Sequence, residues 1–230
     1  DVVKYIEEEN RYTEEIMAPL KEMQEKLYSE MISRIKEDDI SAPEISGDYY
    51  YYVKWIKGKA YPLYCRKKSS LENEEEIILD QNAIDPNSKS VSLGIFEISP
   101  NHKMLAYSID TNGSEVFTIY IKNLETGNLL PDKIEGVSYS LEWSNDNKVI
   151  FYTKLDSARR PYQVYRHILG TNQSEDCLVY EEKDQFFGVY VSKTSSKRYI
   201  FIEIVSKTTT ETLYIESSNP LANLDRKSVV

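Results

Sequence analysis

The sequence predicts a mainly β fold: an incomplete β-propeller of about four blades, preceded by an N-terminal helical hairpin. Three observations support this prediction. Short alternating strands recur at intervals of 45 and 48 residues, 19 tyrosines stand against only 8 glycines, and only the first part of the chain follows a helical period. Tyrosine favours strands because its amphipathic ring suits a half-buried pleated surface.

Residues 1–41 are expected to form a helical arm. Their apolar side chains recur at steps of three, four or seven, which is typical of one face of a helix, while glutamates line the other side and are interpreted as a solvated face. The apolar positions are Val2, Ile6, Thr13, Met17, Leu20, Leu27, Met31 and Ile35. Pro19 interrupts the pattern, which predicts two helices forming a hairpin. A hairpin without its own core must pack on another part of the protein.

Residues 42–230 are interpreted as the incomplete propeller. The clearest repeat unit contains strand 105–109, an Asn112-Gly113 turn and strand 117–121. Asn-Gly between alternating strands favours a hairpin because both turn residues take positive φ. A fourth strand follows in each copy, for example at residues 76–79. Each unit therefore has the composition of a four-stranded blade.

The copies of this unit are spaced as propeller blades are. The equivalent positions of three copies are Ser99, Ser144 and Ser192. A more divergent copy precedes them at residues 45–66, and residues 219–230 resemble the start of a further blade. Four antiparallel strands repeated every 40–50 residues, roughly, are the signature of a propeller. The competing interpretation is a plain antiparallel sandwich whose strands are similar by accident.

Composition excludes several classes of function. The net charge of −10, from 28 Lys+Arg against 38 Asp+Glu, argues against nucleic-acid binding because phosphate recognition needs concentrated positive charge; it suits a cationic partner. Cys65 and Cys177 form neither a disulfide framework nor a C-x-x-C motif. Apolar runs are too short to span a bilayer, and no signal-peptide pattern occurs. A cytoplasmic protein without membrane contact is expected.

The order of strands within a blade predicts one candidate surface. Successive antiparallel strands put the turn between the second and third strands of every blade on the same face of the propeller. The candidate residues on this face are Asp110, Glu115, Asp156, Arg159, Arg160 and Glu211. They would meet a charged peptide or another domain, or, in the alternative interpretation, form a solvated rim.

A search for catalytic motifs finds none. The chain has no G-x-S-x-G nucleophile elbow and no glycine-rich phosphate loop. Only two histidines occur: His102 is expected to be a solvated turn residue and His167 a packed or hydrogen-bonded structural residue. Without a third histidine or a His-x-x-x-His pair, a metal site is not expected.

The order of short motifs along almost the whole chain resembles that of one peptidase family. The motifs are YIEEENRY at 5–12, MAPL at 17–20, IKEDD at 35–39, YPLYCR at 61–66, SP at 99–100, LAYS at 105–108, DTNGSE at 110–115, Trp143, RP at 160–161, YRH at 165–167 and YEEKD at 180–184. In this order they resemble the N-terminal part of the oligopeptidase B (protease II) branch of the prolyl oligopeptidase family of serine peptidases.

This resemblance implies an architecture larger than the chain. Family members are cofactor-free enzymes in which a seven-bladed propeller caps a C-terminal α/β-hydrolase domain with a Ser–Asp–His triad. The propeller excludes large folded proteins, and the oligopeptidase B branch cleaves short peptides after Arg or Lys. No triad residue can be assigned here, because the domain that carries the triad is absent from this sequence. Four blades of a seven-bladed ring would also leave blade sides uncovered and favour self-association.

Two functional hypotheses follow. In the first, the chain is the propeller of a serine oligopeptidase and controls the access of basic peptides to a triad outside it. Its partners are then such peptides and the hydrolase domain of the same parent chain. This chain alone is expected to be inactive. In the second, it is a freestanding propeller that binds a protein or peptide without catalysis. A G-x-S-x-G elbow encoded downstream would favour the first.

Overall fold

The N-terminal segment is one continuous helix in the computed structural model, which describes residues 1–86, 88 and 90–229. Helix α1 (Val2–Met17) continues through a 3-10 turn (Ala18–Leu20) into α2 (Lys21–Ser33), a single helix of 32 residues. The predicted hairpin is therefore wrong. Pro19 occupies an early position of the 3-10 turn, where a missing N–H costs little. The segment has no glycine to take the positive φ of a chain reversal.

The sheet region follows the predicted fold class, which is confirmed. Blade 1 contains β1 (Asp39–Ile40), β2 (Glu44–Ser46), β3 (Tyr49–Trp55), β4 (Leu63–Lys68) and β5 (Glu75–Asp80). Blade 2 contains β6 (Ser92–Ile98), β7 (Met104–Asp110), β8 (Phe117–Asn123) and the first half of β9 (Leu129–Trp143). Because β1 pairs with β3, the sheet begins slightly before the predicted boundary at residue 42.

The last two blades follow the same order. Blade 3 contains the second half of β9, β10 (Val149–Leu155), β11 (Pro161–Ile168) and β12 (Cys177–Glu181). Blade 4 contains β13 (Gly188–Lys193), β14 (Tyr199–Val205), β15 (Thr210–Glu216) and β16 (Asp225–Val229). Short 3-10 turns occupy Gln81–Ala83 and Gln173–Glu175. Residue 230, the end of the predicted propeller segment, lies outside the described residues.

The C-terminal residues complete a blade rather than beginning one. Strand β16 pairs antiparallel with β15 and forms the outer edge of blade 4. The expectation that residues 219–230 start another blade is therefore wrong. A short polar strand has the same local pattern at either edge of a blade, so only its pairing partner decides which edge it forms.

A hydroxyl-bearing residue organises the turn after the first strand in blades 2, 3 and 4. In each turn the side-chain oxygen accepts the backbone N–H of the residue five positions later, and the residue three positions later has positive φ. The hydroxyl residues are Ser99, Ser144 and Thr194; the positive-φ residues are His102, Asn147 and Lys197. The predicted marker of blade 4, Ser192, is thus two residues too early. Its hydroxyl instead donates to Glu203 across the strand pair.

The core lies between the blades. Along β10, Ile150 and Tyr152 pack toward blade 2, whereas Val149 and Phe151 pack toward blade 4. Side chains of a strand alternate between its two faces, so a blade with neighbours on both sides must be apolar on both. All four of these side chains are buried. This packing holds the first strands of the four blades side by side, where they can line a common cavity.

Candidate functional site

The turns between the second and third strands, with Asp110 at the end of β7, make up the predicted surface, which we call the rim (residues 56–62, 110–116, 156–160 and 206–209). In blade 2 its acidic residue faces its own backbone. Asp110 is buried and accepts the N–H groups of Asn112, Gly113 and Glu115 at 2.8, 3.2 and 2.7 Å. Burial opposes ionisation of Asp110, but these hydrogen bonds outweigh it and lower its pKa. Asp110 therefore shapes the turn and presents little charge to a partner.

Blade 3 uses its acidic rim residue in the same way and adds a salt bridge. Asp156 accepts backbone N–H groups of its own turn, including that of Arg160, and binds the Arg160 Nε at 2.9 Å. The Arg160 guanidinium also donates to the carbonyls of Asp184 and Phe187, at 2.8 and 2.7 Å. It thereby fixes the loop that leads into blade 4. Phe186, 76% exposed, stands at the surface of this loop.

The exposed charges of the rim gather around an aromatic residue that the sequence did not single out. Glu115 and Arg159, both exposed with positive φ, lie near Tyr139 of β9, whose ring packs edge-on against Phe117 with centroids 4.8 Å apart. Desolvation and then the carboxylates of Glu115 and Asp110 raise the pKa of Tyr139, and Arg159 opposes them. The structure thus brings these predicted residues of blades 2 and 3 together.

Glu211 is the one predicted residue that is not in a rim turn. The turn of blade 4 closes through Ser206 and Thr209, and Glu211 already belongs to β15, opposite Ile204. Its charge acts on the hydroxyl of Tyr180 in blade 3. It therefore faces the boundary between two blades, a position that depends on where the turn ends.

A second candidate site lies on the concave side of the propeller. The first strands of the four blades, β2, β6, β9 and β13, line an open cavity of about 490 Å³, which we call the inner cavity. Its ionisable wall residues include Glu97, Glu142, Lys193 and Lys197. Lys193 donates through Nζ to the carbonyl of Trp143 at 2.5 Å. The cavity therefore has both an acidic and a basic side, contributed by different blades.

Both cavity glutamates resist ionisation. Desolvation raises the pKa of Glu97 to about 7, although its side chain remains open to the cavity and Lys193 opposes the shift. Desolvation and then the charge of Glu97 raise the pKa of Glu142 to about 7. Desolvation likewise lowers the pKa of Lys193. The charge of this wall therefore changes near neutral pH, where a cationic group entering the cavity would favour the ionised carboxylates.

The sequence also carries a signal for the inner cavity. Glu97 and Glu142 each stand two residues before the repeated turn serine, Ser99 or Ser144. Equivalent positions in the first strands of neighbouring blades face the same side. An acidic residue repeated at this position therefore indicates paired carboxylates on the concave surface.

The two histidines occupy different environments. His102 is half-buried and not the solvated residue that was expected: its Nδ1 lies 2.8 Å from the hydroxyl of Tyr51 in blade 1. Gly47, with φ +56°, is required beside it, since a Cβ there would lie 2.5 Å from the His102 ring. His167 is buried and hydrogen-bonded, as predicted. Among the described residues, no cluster of His, Cys, Asp and Glu could hold a metal ion. No described helix is long and apolar enough to cross a membrane.

Comparison with known proteins identifies the fold and its family. Residues 1–229 match the model of the prolyl oligopeptidase N-terminal beta-propeller domain. This chain belongs to the prolyl oligopeptidase family. It is 38% identical over 231 residues to Protease 2 of Moraxella lacunata, covering 97% of this chain and 34% of that protein. It is 35% identical over 236 residues to Dipeptidyl aminopeptidase BI of Pseudoxanthomonas mexicana, covering 96% and 33%.

A solved structure extends the likeness to oligopeptidase B. Oligopeptidase B from Leishmania major superposes on this prolyl oligopeptidase family propeller with a TM-score of 0.90 and 29% sequence identity, over 100% of this chain and 33% of that one. The resemblance to oligopeptidase B inferred from the sequence is confirmed. The chain spans about a third of the length of the relatives it matches. The rim and the inner cavity are thus features of a peptidase-family propeller domain.

Proposed function

We propose that this chain is the propeller part of a serine oligopeptidase that cleaves short peptides after Arg or Lys. The observation that carries the proposal is the likeness to oligopeptidase B over the whole chain. The reaction is acyl transfer, with a serine nucleophile, a histidine general base and an orienting aspartate, all outside the present sequence. The propeller limits which peptides reach them.

The charge of the propeller supports a basic substrate. The net charge is −10, and the inner cavity carries Glu97 and Glu142 on neighbouring blades. A cationic side chain passing the cavity would stabilise their ionised forms, because an opposite charge nearby favours ionisation. Carboxylates with a pKa of about 7 would therefore attract basic peptides most strongly above neutral pH.

The exposed helix supports a second partner, the hydrolase domain of the same parent chain. No residue of α1 or α2 is buried, and the apolar side chains of Ile6, Leu20 and Leu27 are about half exposed. Such a stripe is stable in water only when another surface covers it.

We assign the cytoplasm as the compartment, since Cys65 and Cys177 both keep free thiols.

Peptide hydrolysis by the polypeptide in its full natural length tests this function. Reporter peptides that differ only at the cleaved residue should be cleaved after Arg and Lys, with a preference on the order of 100-fold over Ala or Pro. The reason is that a neutral side chain leaves the polar groups of a site built for a charged side chain without a partner. A serine-directed covalent inhibitor should abolish the reaction. The 230-residue chain alone should show no turnover.

The outcomes separate the two hypotheses. Cleavage after Pro in preference to Arg would contradict the proposed specificity while leaving a peptidase. Binding of basic peptides with no hydrolysis by the full-length polypeptide would replace the peptidase with the freestanding binding module. Serine-inhibitor-sensitive turnover by the 230-residue chain alone would show that the triad does not lie elsewhere.

We further propose that the separated chain self-associates through its first and last blades. Ile200, Ile202 and Ile204 of β14 pack on blade 3. The alternating residues Phe201 and Val205 therefore lie on the opposite face of blade 4, which no other described blade covers. These two side chains are only partly buried. Size-exclusion chromatography should therefore show a species larger than 26.8 kDa. A clean monomer would contradict this expectation.

A further inference from the structure

A buried histidine bridges two carboxylates away from the rim and the inner cavity. The His167 Nδ1 lies 2.6 Å from Asp176 Oδ1, and its Nε2 lies 3.0 Å from Asp132 Oδ1. The side chains of all three residues are only 1% exposed. None of them belongs to either candidate site described above. Full burial of three ionisable groups is costly, so their arrangement requires a physical explanation.

The bridge crosses from one blade to the next. Asp132 lies in the part of β9 that pairs with β8 and forms the outer edge of blade 2. His167 lies in β11 of blade 3, and Asp176 directly precedes β12 of the same blade. Strand pairing joins β11 to β10 and β12, not to this part of β9. The imidazole therefore provides a buried polar link between blades 2 and 3, in addition to their shared apolar cluster and the hydrogen bonds of Gln173 with the Glu135 backbone.

The geometry favours a doubly protonated ring. Both ring nitrogens face carboxylate oxygens, and only the imidazolium has an N–H on each nitrogen. Asp176 receives a further hydrogen bond, from the Tyr152 hydroxyl to Oδ2 at 2.8 Å, and Asp132 Oδ1 accepts the Gly170 N–H at 2.5 Å. The other oxygen of Asp132 is buried and has no partner among the described residues. Loss of one ring proton would thus leave one of these buried carboxylates facing a ring nitrogen that cannot donate.

We propose that Asp132, His167 and Asp176 form a pH-sensitive latch between blades 2 and 3, closed while His167 is protonated and released when it loses a proton. The groups that act on it are Asp132 from β9, Asp176 before β12 and, through Asp176, the hydroxyls of Tyr152 and Tyr165. Burial alone would lower the pKa of His167, but the hydrogen bonds to Asp176 and Asp132 outweigh it and raise the pKa above 6.5.

The direction of the pH dependence follows from the raised pKa of His167. A histidine whose pKa is higher in the folded state contributes its full stabilisation below its unfolded pKa of about 6.5. The contribution is lost as pH rises from that value through the folded-state pKa. Across this interval the equilibrium constant for opening the latch rises by up to about tenfold per pH unit. Below it, the latch is insensitive to pH.

Hydrogen exchange of the polypeptide in its full natural length tests the latch. After correction for intrinsic exchange rates, amides in residues 129–134 and 161–168 should keep constant protection below pH 6.5 and lose it above, relative to β14 in blade 4. His167→Gln should show weaker protection that no longer changes with pH. Wild-type protection that follows β14 from pH 6 to pH 9 would overturn the proposal.

Nitrogen NMR of the imidazole rings provides a readout that survives if His167→Gln fails to fold. His167 should keep protons on both nitrogens to a higher pH than His102 does. His102 is the internal control, because burial and then the charges of Lys197 and Arg66 lower its pKa. Asp132→Asn should shift the His167 titration to lower pH and leave that of His102 in place. A neutral His167 ring at pH 6, or no shift in Asp132→Asn, would overturn the proposal.

Discussion

Replacing Trp143 with alanine is expected to lower the free energy of unfolding by about 4 kcal/mol, the usual cost of removing a large buried aromatic side chain. Trp143 ends β9 and is 2% exposed within the apolar cluster between blades 2 and 3. Its indole Nε1 donates to the carbonyl of Glu97 in blade 2 at 3.0 Å. Its own carbonyl accepts Lys193 of blade 4. One residue thus connects three blades.

The size of this effect is judged against the stability of the whole fold. Domains unfold with a free energy of about 5–15 kcal/mol, so a loss of this size would leave the propeller partly unfolded at moderate temperature. Urea unfolding followed by circular dichroism measures it without relying on tryptophan fluorescence. The polypeptide in its full natural length is the material to use.

Two variants separate the contributions of Trp143. Trp143→Phe keeps an aromatic ring but leaves the Glu97 carbonyl without its donor, and should cost about 1–2 kcal/mol. Trp55→Ala removes the other tryptophan, which is 43% exposed at the end of β3, and should cost less than about 1 kcal/mol. A loss in Trp143→Ala no larger than that in Trp55→Ala would contradict the assigned role.

Replacing Glu142 with glutamine is expected to stabilise the fold at pH 8 and to have little effect at pH 4. Its pKa of about 7, against the ordinary value of 4.5, means that the folded state binds more protons than the unfolded state between these values. Stability therefore falls as pH rises from 4.5 through 7. A neutral amide removes this cost. The expected gain at pH 8 is about 1–2 kcal/mol, allowing for water that enters the cavity.

The measurement is the difference in unfolding free energy between wild type and Glu142→Gln from pH 4 to pH 8. Taking the difference removes the contribution of the Asp132–His167–Asp176 latch, which is common to both proteins. Glu9→Gln, on the exposed helix α1, changes the net charge equally and controls for it. A Glu142→Gln effect that is constant across this pH range, or destabilisation at pH 8, would contradict the assignment.

Local sequence patterns predicted the blades because each blade repeats the same short-range chemistry. Asn112-Gly113 marked a real hairpin between β7 and β8, but only Gly113 of the two has the predicted positive φ. Ser99 and Ser144 marked equivalent turns 45 residues apart. The assignment failed at Ser192, since Thr194 stands two residues away and both hydroxyls could accept the same hydrogen bond. Residues two positions apart lie on the same face of a strand. The alternation of side chains along the strand therefore could not distinguish Ser192 from Thr194.

The candidate site was less predictable from the sequence than the fold. The sequence pattern predicts Asp110 and Asp156 as surface charges, whereas in the structure each accepts backbone N–H groups of its own turn. Aspartate at the start of a tight turn commonly does this, so that chemistry was available in the sequence. Tyr139 and Glu142 were missed because their significance depends on which residues of neighbouring blades face them.

By itself, the sequence determined the strand order, the blade repeat and the membership of a peptidase family, since these depend on local alternation, turn chemistry and motif order. Only the tertiary structure decided that the helix continues past Pro19, that β16 closes blade 4 and that His167 bridges two carboxylates. Each of these depends on contacts between residues far apart in the chain or on the direction that the backbone takes. Local patterns do not specify either one, because the same residues could satisfy their hydrogen bonds with other partners.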